Sequence, residues 1–139
     1  MSERSKVIEL IRQWLEKAEE DLLTAEHTLT LDERCPFATV CFHAQQCIEK
    51  YIKALLVSLT IDFPKIHDIG ELIQLLPQEY NIPLDASQQE QLSDYAVVSR
   101  YPGTWEPLTQ SDAEEAVALA RRVRETIQSL LPSEAISAS

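Results

Sequence analysis

Apolar residues recur at three- and four-residue intervals along most of this chain, interrupted by a few prolines and acidic turn residues. In the middle, Cys41, Ala44, Ile48, Tyr51, Ile52 and Leu55 gather on one broad face when wound at ~100° per residue, extended by Phe37 before and Leu59 after. Residues 39–60 contain neither Gly nor Pro, which predicts a long uninterrupted helix around which a bundle would pack. On its other side, His43, Gln46, Lys50 and Lys53 follow one another at spacings of three, four and three, forming a polar stripe. Gln45 and Glu49 lie beside that stripe, and Glu49 precedes Lys53 by four, the favourable order for a helical ion pair.

The same periodicity predicts a first helix over residues 5–30, with Val7, Ile11, Trp14, Ala18, Leu22, Ala25 and Leu29 inward. Its outer face is crowded with Glu9, Glu16, Glu19, Glu20 and Glu26, most simply a solvated surface. Pro36 suits the opening turn of the central helix. Asp68 with Glu71 three residues on predicts the start of a short third helix that ends near Pro77. A fourth helix begins after Asp85, buries Leu92, Tyr95, Ala96 and Val98, and must end before Pro102. Ser111 with Glu114 reads as the capping box of a fifth helix whose inward residues run from Ala113 to Leu130 and Leu131. No strand pattern and no repeat is visible. The expected fold is all-α: an antiparallel bundle of about five helices with an up-and-down four-helix core, forming one domain over 5–131. Residues 132–139 are expected to be a disordered tail.

Composition narrows the function. The chain has 139 residues and a formal net charge of −11, which argues against broad non-specific nucleic-acid binding but leaves room for a small basic pocket. No apolar run is long enough for a membrane span or signal peptide, so no membrane partner and a cytoplasmic location are expected. Cys35, Cys41 and Cys47 are odd in number and lack CxxC spacing, so they read as small core residues rather than a disulfide framework. His43 and Cys47 supply at most two corners of a metal site, and paired Glu-x-x-His motifs are lacking. Two glycines in total rule out a glycine-rich phosphate loop, and neither metal nor cofactor is expected.

On the residues alone, the polar stripe has two readings. It is either a wet helix face or one wall of a cleft in which lysines meet phosphate and His43 and Gln46 direct hydrogen bonds. Arg100 beside Tyr101, with Trp105 nearby, is similarly open: the Arg and aromatics could clamp a phosphate and stack a base, or the aromatics could pin a loop.

Three stretches resemble the HEPN domain (higher eukaryotes and prokaryotes nucleotide-binding). They are Phe42-His43-Ala44-Gln45-Gln46 with Glu49-Lys50 and Lys53-Ala54-Leu55-Leu56, then Phe63-Pro64-Lys65-Ile66-His67-Asp68-Ile69, then Arg100-Tyr101-Pro102. Ribonucleases of that family carry an Arg followed after four to six residues by a His. No His follows Arg100 in this chain, so the expected proton-transfer group is missing from its place and a non-nucleolytic member is expected. The resemblance implies a homodimeric helical module that accompanies a minimal nucleotidyltransferase in a toxin–antitoxin-type pair. It would hold a nucleotide or RNA near His43, Gln46, Lys50, Lys53, Arg100 and Tyr101, with no catalytic residue assigned. The alternatives are a metal-independent ribonuclease toxin and a ligand-free helical adaptor.

Overall fold

The computed structural model describes residues 2–96 and 107–136. Among these the chain is helical with no strand: α1 is Glu3–Leu29, α2 Phe37–Ser58, α3 Ile69–Gln74, α4 Ala86–Tyr95, α5 Gln110–Leu130 and α6 Ser133–Ile136, with one 3-10 turn at Asp32–Arg34. The all-α bundle expected from the apolar periodicity is therefore present, with a short sixth helix added.

Four of the helix starts are set by a side chain that takes up an orphan N–H. Ser2 accepts from the Ser5 amide at α1, and Asp68 accepts from that of Glu71 at α3. Asp85 and Gln88 close a full capping box at α4, which anchors a helix whose first turn is otherwise polar. The box of α5 is formed by Thr109 and Asp112, two residues earlier than Ser111 and Glu114 suggested. Asp112 serves there as the reciprocal acceptor, taking a hydrogen bond from the Thr109 amide at 2.8 Å. At the far end of α2, Thr60 adopts φ 55°, and the Ile61 and Thr60 amides donate back to Leu56 and Val57 carbonyls at 3.0 Å. Those are the bonds of a left-handed helix stop, made here by a β-branched residue.

α2 occupies the centre. Cys41, Ala44, Ile48, Tyr51, Ile52 and Leu55 are fully buried, and Phe37 and Leu59 pack at its ends. α1 runs antiparallel along it: Asp21 meets Lys50 while Trp14, two turns earlier, meets Lys53. α5 returns antiparallel to α1, as the pairs Arg121–Glu26 and Arg124–Glu19 record.

Three expectations about packing are corrected. Ile8, Ile11 and Leu15 form the inner line of α1, whereas Val7 and Trp14 sit at its edge, because the buried arc is rotated about one position. Leu131 is buried but Leu130 is 39% exposed, since α5 ends there and the chain turns at Pro132. Residues 133–136, expected within a tail, form α6 and are tied down. Arg4 donates to both Glu134 carboxylate oxygens at 2.9 and 2.8 Å, Arg12 donates to the Glu134 carbonyl at 2.6 Å, and Ala135 is buried. Val98 and the predicted end of the fourth helix lie outside the described residues.

Candidate functional site

Along one side of the α1–α2 seam, the polar stripe of α2 meets residues of α1 and of the loop before α3. Asp21 is the residue that organises its upper part. It is 8% exposed, and sits on the inner line of α1 between Ala18 and Ala25. Its Oδ1 lies 2.8 Å from Nδ1 of His43, and its Oδ2 accepts from the Lys50 ammonium. The His43 and Lys50 side chains are 28% and 22% exposed, so the cluster lies at a partly exposed edge of the seam. The Phe42 ring meets the imidazole edge-on with centroids 5.3 Å apart.

The lower part is built on Glu49, 2% exposed. One oxygen accepts from Lys53 at 3.0 Å, and the other lies 2.9 Å from His67 Nδ1 and accepts from Gln45 at 3.2 Å. Gln45 also donates to the His67 carbonyl at 3.2 Å and accepts from Gln46 at 2.6 Å. The Lys53 ammonium is 5.5 Å from the Trp14 ring centroid and 5.7 Å from that of Phe63, and those two rings pack edge to face. His67 ties the loop before α3 to α2, through its ring to Glu49 and through its own carbonyl to Gln45.

Of the residues expected to contact a ligand, His43, Gln46 and Lys50 thus share one accessible side. Lys53 shares the stripe by sequence, but its side chain is only 7% exposed and its charge is matched within the fold. Each lysine is already paired with a largely buried carboxylate, so the stripe is a set of neutralised pairs rather than a run of free cations. Arg100 and Tyr101 lie outside the described residues. Asp21 escaped the reading of the sequence, although an acid three after Ala18 and four before Ala25 stands on the buried line of its helix; that interruption is the signal that marks it.

A second polar cluster, on the α5 side of the seam, was also unforeseen. Tyr51 donates to Glu19 Oε1 at 2.6 Å, Arg124 Nε donates to the same oxygen at 2.6 Å, and Gln128 donates to the Tyr51 hydroxyl at 3.1 Å. Glu19 had read as part of the solvated face of the first helix. Burial, and after it the hydrogen bond to Glu19, pushes the Tyr51 phenol well up, while Glu19 also raises Arg124. These groups form one wall of an open cavity of about 580 Å³, bounded also by Leu15, Ala135 and Ile136. Glu19, Tyr51, Arg124 and Gln128 satisfy one another there.

Burial raises the thiols too: Cys41 is pushed up to about 12, with Asp112 adding to the effect, and Cys47 goes higher still. Both are free and buried, as is Cys35. Among the described residues, no cluster of three or more His, Cys, Asp or Glu could hold a metal ion, and no helix is long and apolar enough to cross a membrane.

Among the described residues the chain is a helical bundle centred on α2, which carries Phe42-His43-Ala44-Gln45-Gln46. The HEPN domain model matches residues 11–130, and the chain belongs to that family. It is 29% identical over 140 residues to a protein of Methanocaldococcus jannaschii named Putative toxin MJ1304, an alignment spanning 89% of this chain and 90% of that one. TT1696 from Thermus thermophilus, known from a crystal structure, is similar with a TM-score of 0.75 at 30% identity, covering 87% of this chain and 98% of its own. ST0689, described as an archaeal HEPN homologue, gives a TM-score of 0.68 at 26% identity over 88% and 98% of the two chains.

Proposed function

We propose that this chain is the HEPN component of a toxin–antitoxin-type pair. In this reading it forms a homodimer, engages a minimal nucleotidyltransferase, and contacts a nucleotide or RNA through the groove of His43, Gln46 and Lys50, with Arg100 and Tyr101 as further contacts. The observation that carries the reading is the similarity, over 89% of this chain and 90% of that one, to the relative named Putative toxin MJ1304, within a family match that spans most of the chain. The Asp21–His43–Lys50 cluster supports a ligand role because a buried carboxylate fixes two donors at an accessible edge. Lys53 is left out of the contact set, since it is enclosed by Trp14, Phe63 and Glu49.

The pair is tested by expressing the chain alone and then together with a minimal nucleotidyltransferase from the same source. Growth arrest by the chain, relieved by the partner, with both proteins co-purifying, is the expected result. Unimpaired growth together with failure to co-purify overturns the pairing. Light scattering should give a dimer at micromolar concentration. The ligand is tested separately by thermal shift: millimolar ATP or short RNA should raise the melting temperature. His43→Ala with Lys50→Ala should remove that shift, and Arg121→Ala, on the opposite side of α1, should not. A wild-type protein unmoved by either ligand would leave the adaptor alternative.

A further inference from the structure

The chain has three histidines, and their surroundings differ in a way that bears on nucleophilic chemistry. His27 lies at the end of α1, away from both carboxylate clusters. His67 is 68% exposed, with Nδ1 on Glu49. His43 is only 28% exposed, with Nδ1 on Asp21. A carboxylate at Nδ1 fixes the proton there and turns Nε2, with its lone pair, outward as the nucleophilic edge. His43 has one further property. Asp21 holds the Lys50 ammonium on its second oxygen, so imidazole and ammonium stand one carboxylate's width apart, and both side chains are partly exposed. The corresponding ammonium beside His67, that of Lys53, is enclosed between the Trp14 and Phe63 rings and cannot turn outward.

We infer that His43 is a phosphoryl-acceptor site: Nε2 takes a phosphoryl group from an N-phosphorylated donor of the phosphoramidate class. The donor reacts with its nitrogen already protonated: the lone pair of Nε2 forms the new N–P bond as the donor's P–N bond breaks, its electron pair going to that nitrogen, which leaves as the neutral amine. One P–N bond replaces another, so the step asks for a well-held nucleophile more than for an acid. The ring gains positive charge while its Nδ1–H stays on Asp21, the carboxylate placed to stabilise it. The phosphoryl group brings about −1.5 to −2 charges at neutral pH. On a chain of net charge −11, Lys50 is the local cation that can face those oxygens. Once there, it would draw Lys50 from Asp21 and so loosen that contact between α1 and α2.

The test uses the full chain and potassium phosphoramidate, with intact-mass and peptide mass spectrometry under alkaline conditions that preserve phosphohistidine. The expected product carries one phosphoryl group on His43, formed about tenfold or more faster than on His27 or His67. Asp21→Asn should slow it roughly 10- to 100-fold, the usual effect of removing a carboxylate that orients an imidazole. His43→Gln should abolish it with the helical circular dichroism unchanged. Unfolding in urea should bring the three rates together, which separates the effect of the cluster from intrinsic reactivity. Preferential or equal labelling of His27 or His67 in the folded chain would overturn the assignment. So would an undiminished rate in Asp21→Asn, or no labelling of the folded chain where free imidazole is phosphorylated.

Discussion

Glu49 is nearly sealed from solvent, yet both its oxygens are occupied, by Lys53 on one side and by His67 and Gln45 on the other. Such a buried pair adds little net stability over an apolar replacement of both members, because desolvating each charge cancels most of their attraction. Removing one member is different. Glu49→Ala would leave the Lys53 ammonium between two aromatic rings with no counter-charge and would free the Gln45 and His67 donors. The expected loss is about 3–5 kcal/mol, read as a lower urea midpoint with an unchanged slope; a loss below about 1 kcal/mol would show that Lys53 escapes to water. Asp21 differs in purpose. It also holds two donors, but at an accessible edge, which is why Asp21 and not Glu49 anchors the candidate site.

At the scale of elements, the helix ends carry the sharpest tests. Thr109 caps α5 through its hydroxyl, which accepts from the Asp112 amide at 3.1 Å, whereas Ser111 lies inside the first turn. Thr109→Ala should therefore cost about 1 kcal/mol and Ser111→Ala within about 0.5 kcal/mol. The reverse order in thermal denaturation would move the cap back to the position suggested by the local pattern. Thr60 offers a gain instead. Its φ of 55° places a β-branched residue in the left-handed region that glycine enters without penalty. Thr60→Gly should stabilise the chain by about 1 kcal/mol, the steric cost relieved at one residue; an unchanged or lower melting temperature would indicate that the threonine makes a compensating contact. Its hydroxyl contact to the Leu59 carbonyl is local and exposed, so little else is lost.

For the whole molecule, the buried acids of the core set the behaviour at high pH. Cys41, Cys47, Tyr51 and Tyr95 all have raised folded-state values, each chiefly through burial, against ordinary values of 9 for thiols and 10 for phenols. Below about pH 9, both folded and unfolded chains hold these protons, and the stability they allow is fully present. As pH rises further, the unfolded chain releases protons that the folded chain keeps, so stability falls, progressively up to and beyond about 12 for Cys41. The urea midpoint should drop steadily from about pH 9 upward. Cys41→Ala with Cys47→Ala should flatten the first part of that decline, while an unaltered pH profile in the double variant would place its origin elsewhere.

The order of the first five helices and the identity of the central one were legible because they depend on local periodicity: a turn every 3.6 residues puts Cys41, Ala44, Ile48, Ile52 and Leu55 on one face whatever surrounds them. The caps of α3 and α4 were legible for the same reason, each being a contact across three residues. The family signature was legible as well, being written in contiguous residues around His43, His67 and Arg100. What the polar residues of α2 face was decided only by tertiary structure. Whether Lys50 is a free cation depends on Asp21, 29 residues away, whereas Lys53 takes its counter-charge from Glu49 four residues before it and owes only its enclosure to Trp14 and Phe63. Tyr51, correctly read as buried, acquires a polar role only because Glu19 and Arg124, 105 residues apart, converge on its hydroxyl. Local spacing determines which side of a helix a residue occupies and gives Lys53 its partner; the charges that Lys50 and Tyr51 meet come from another helix, at a distance along the chain that periodicity does not encode.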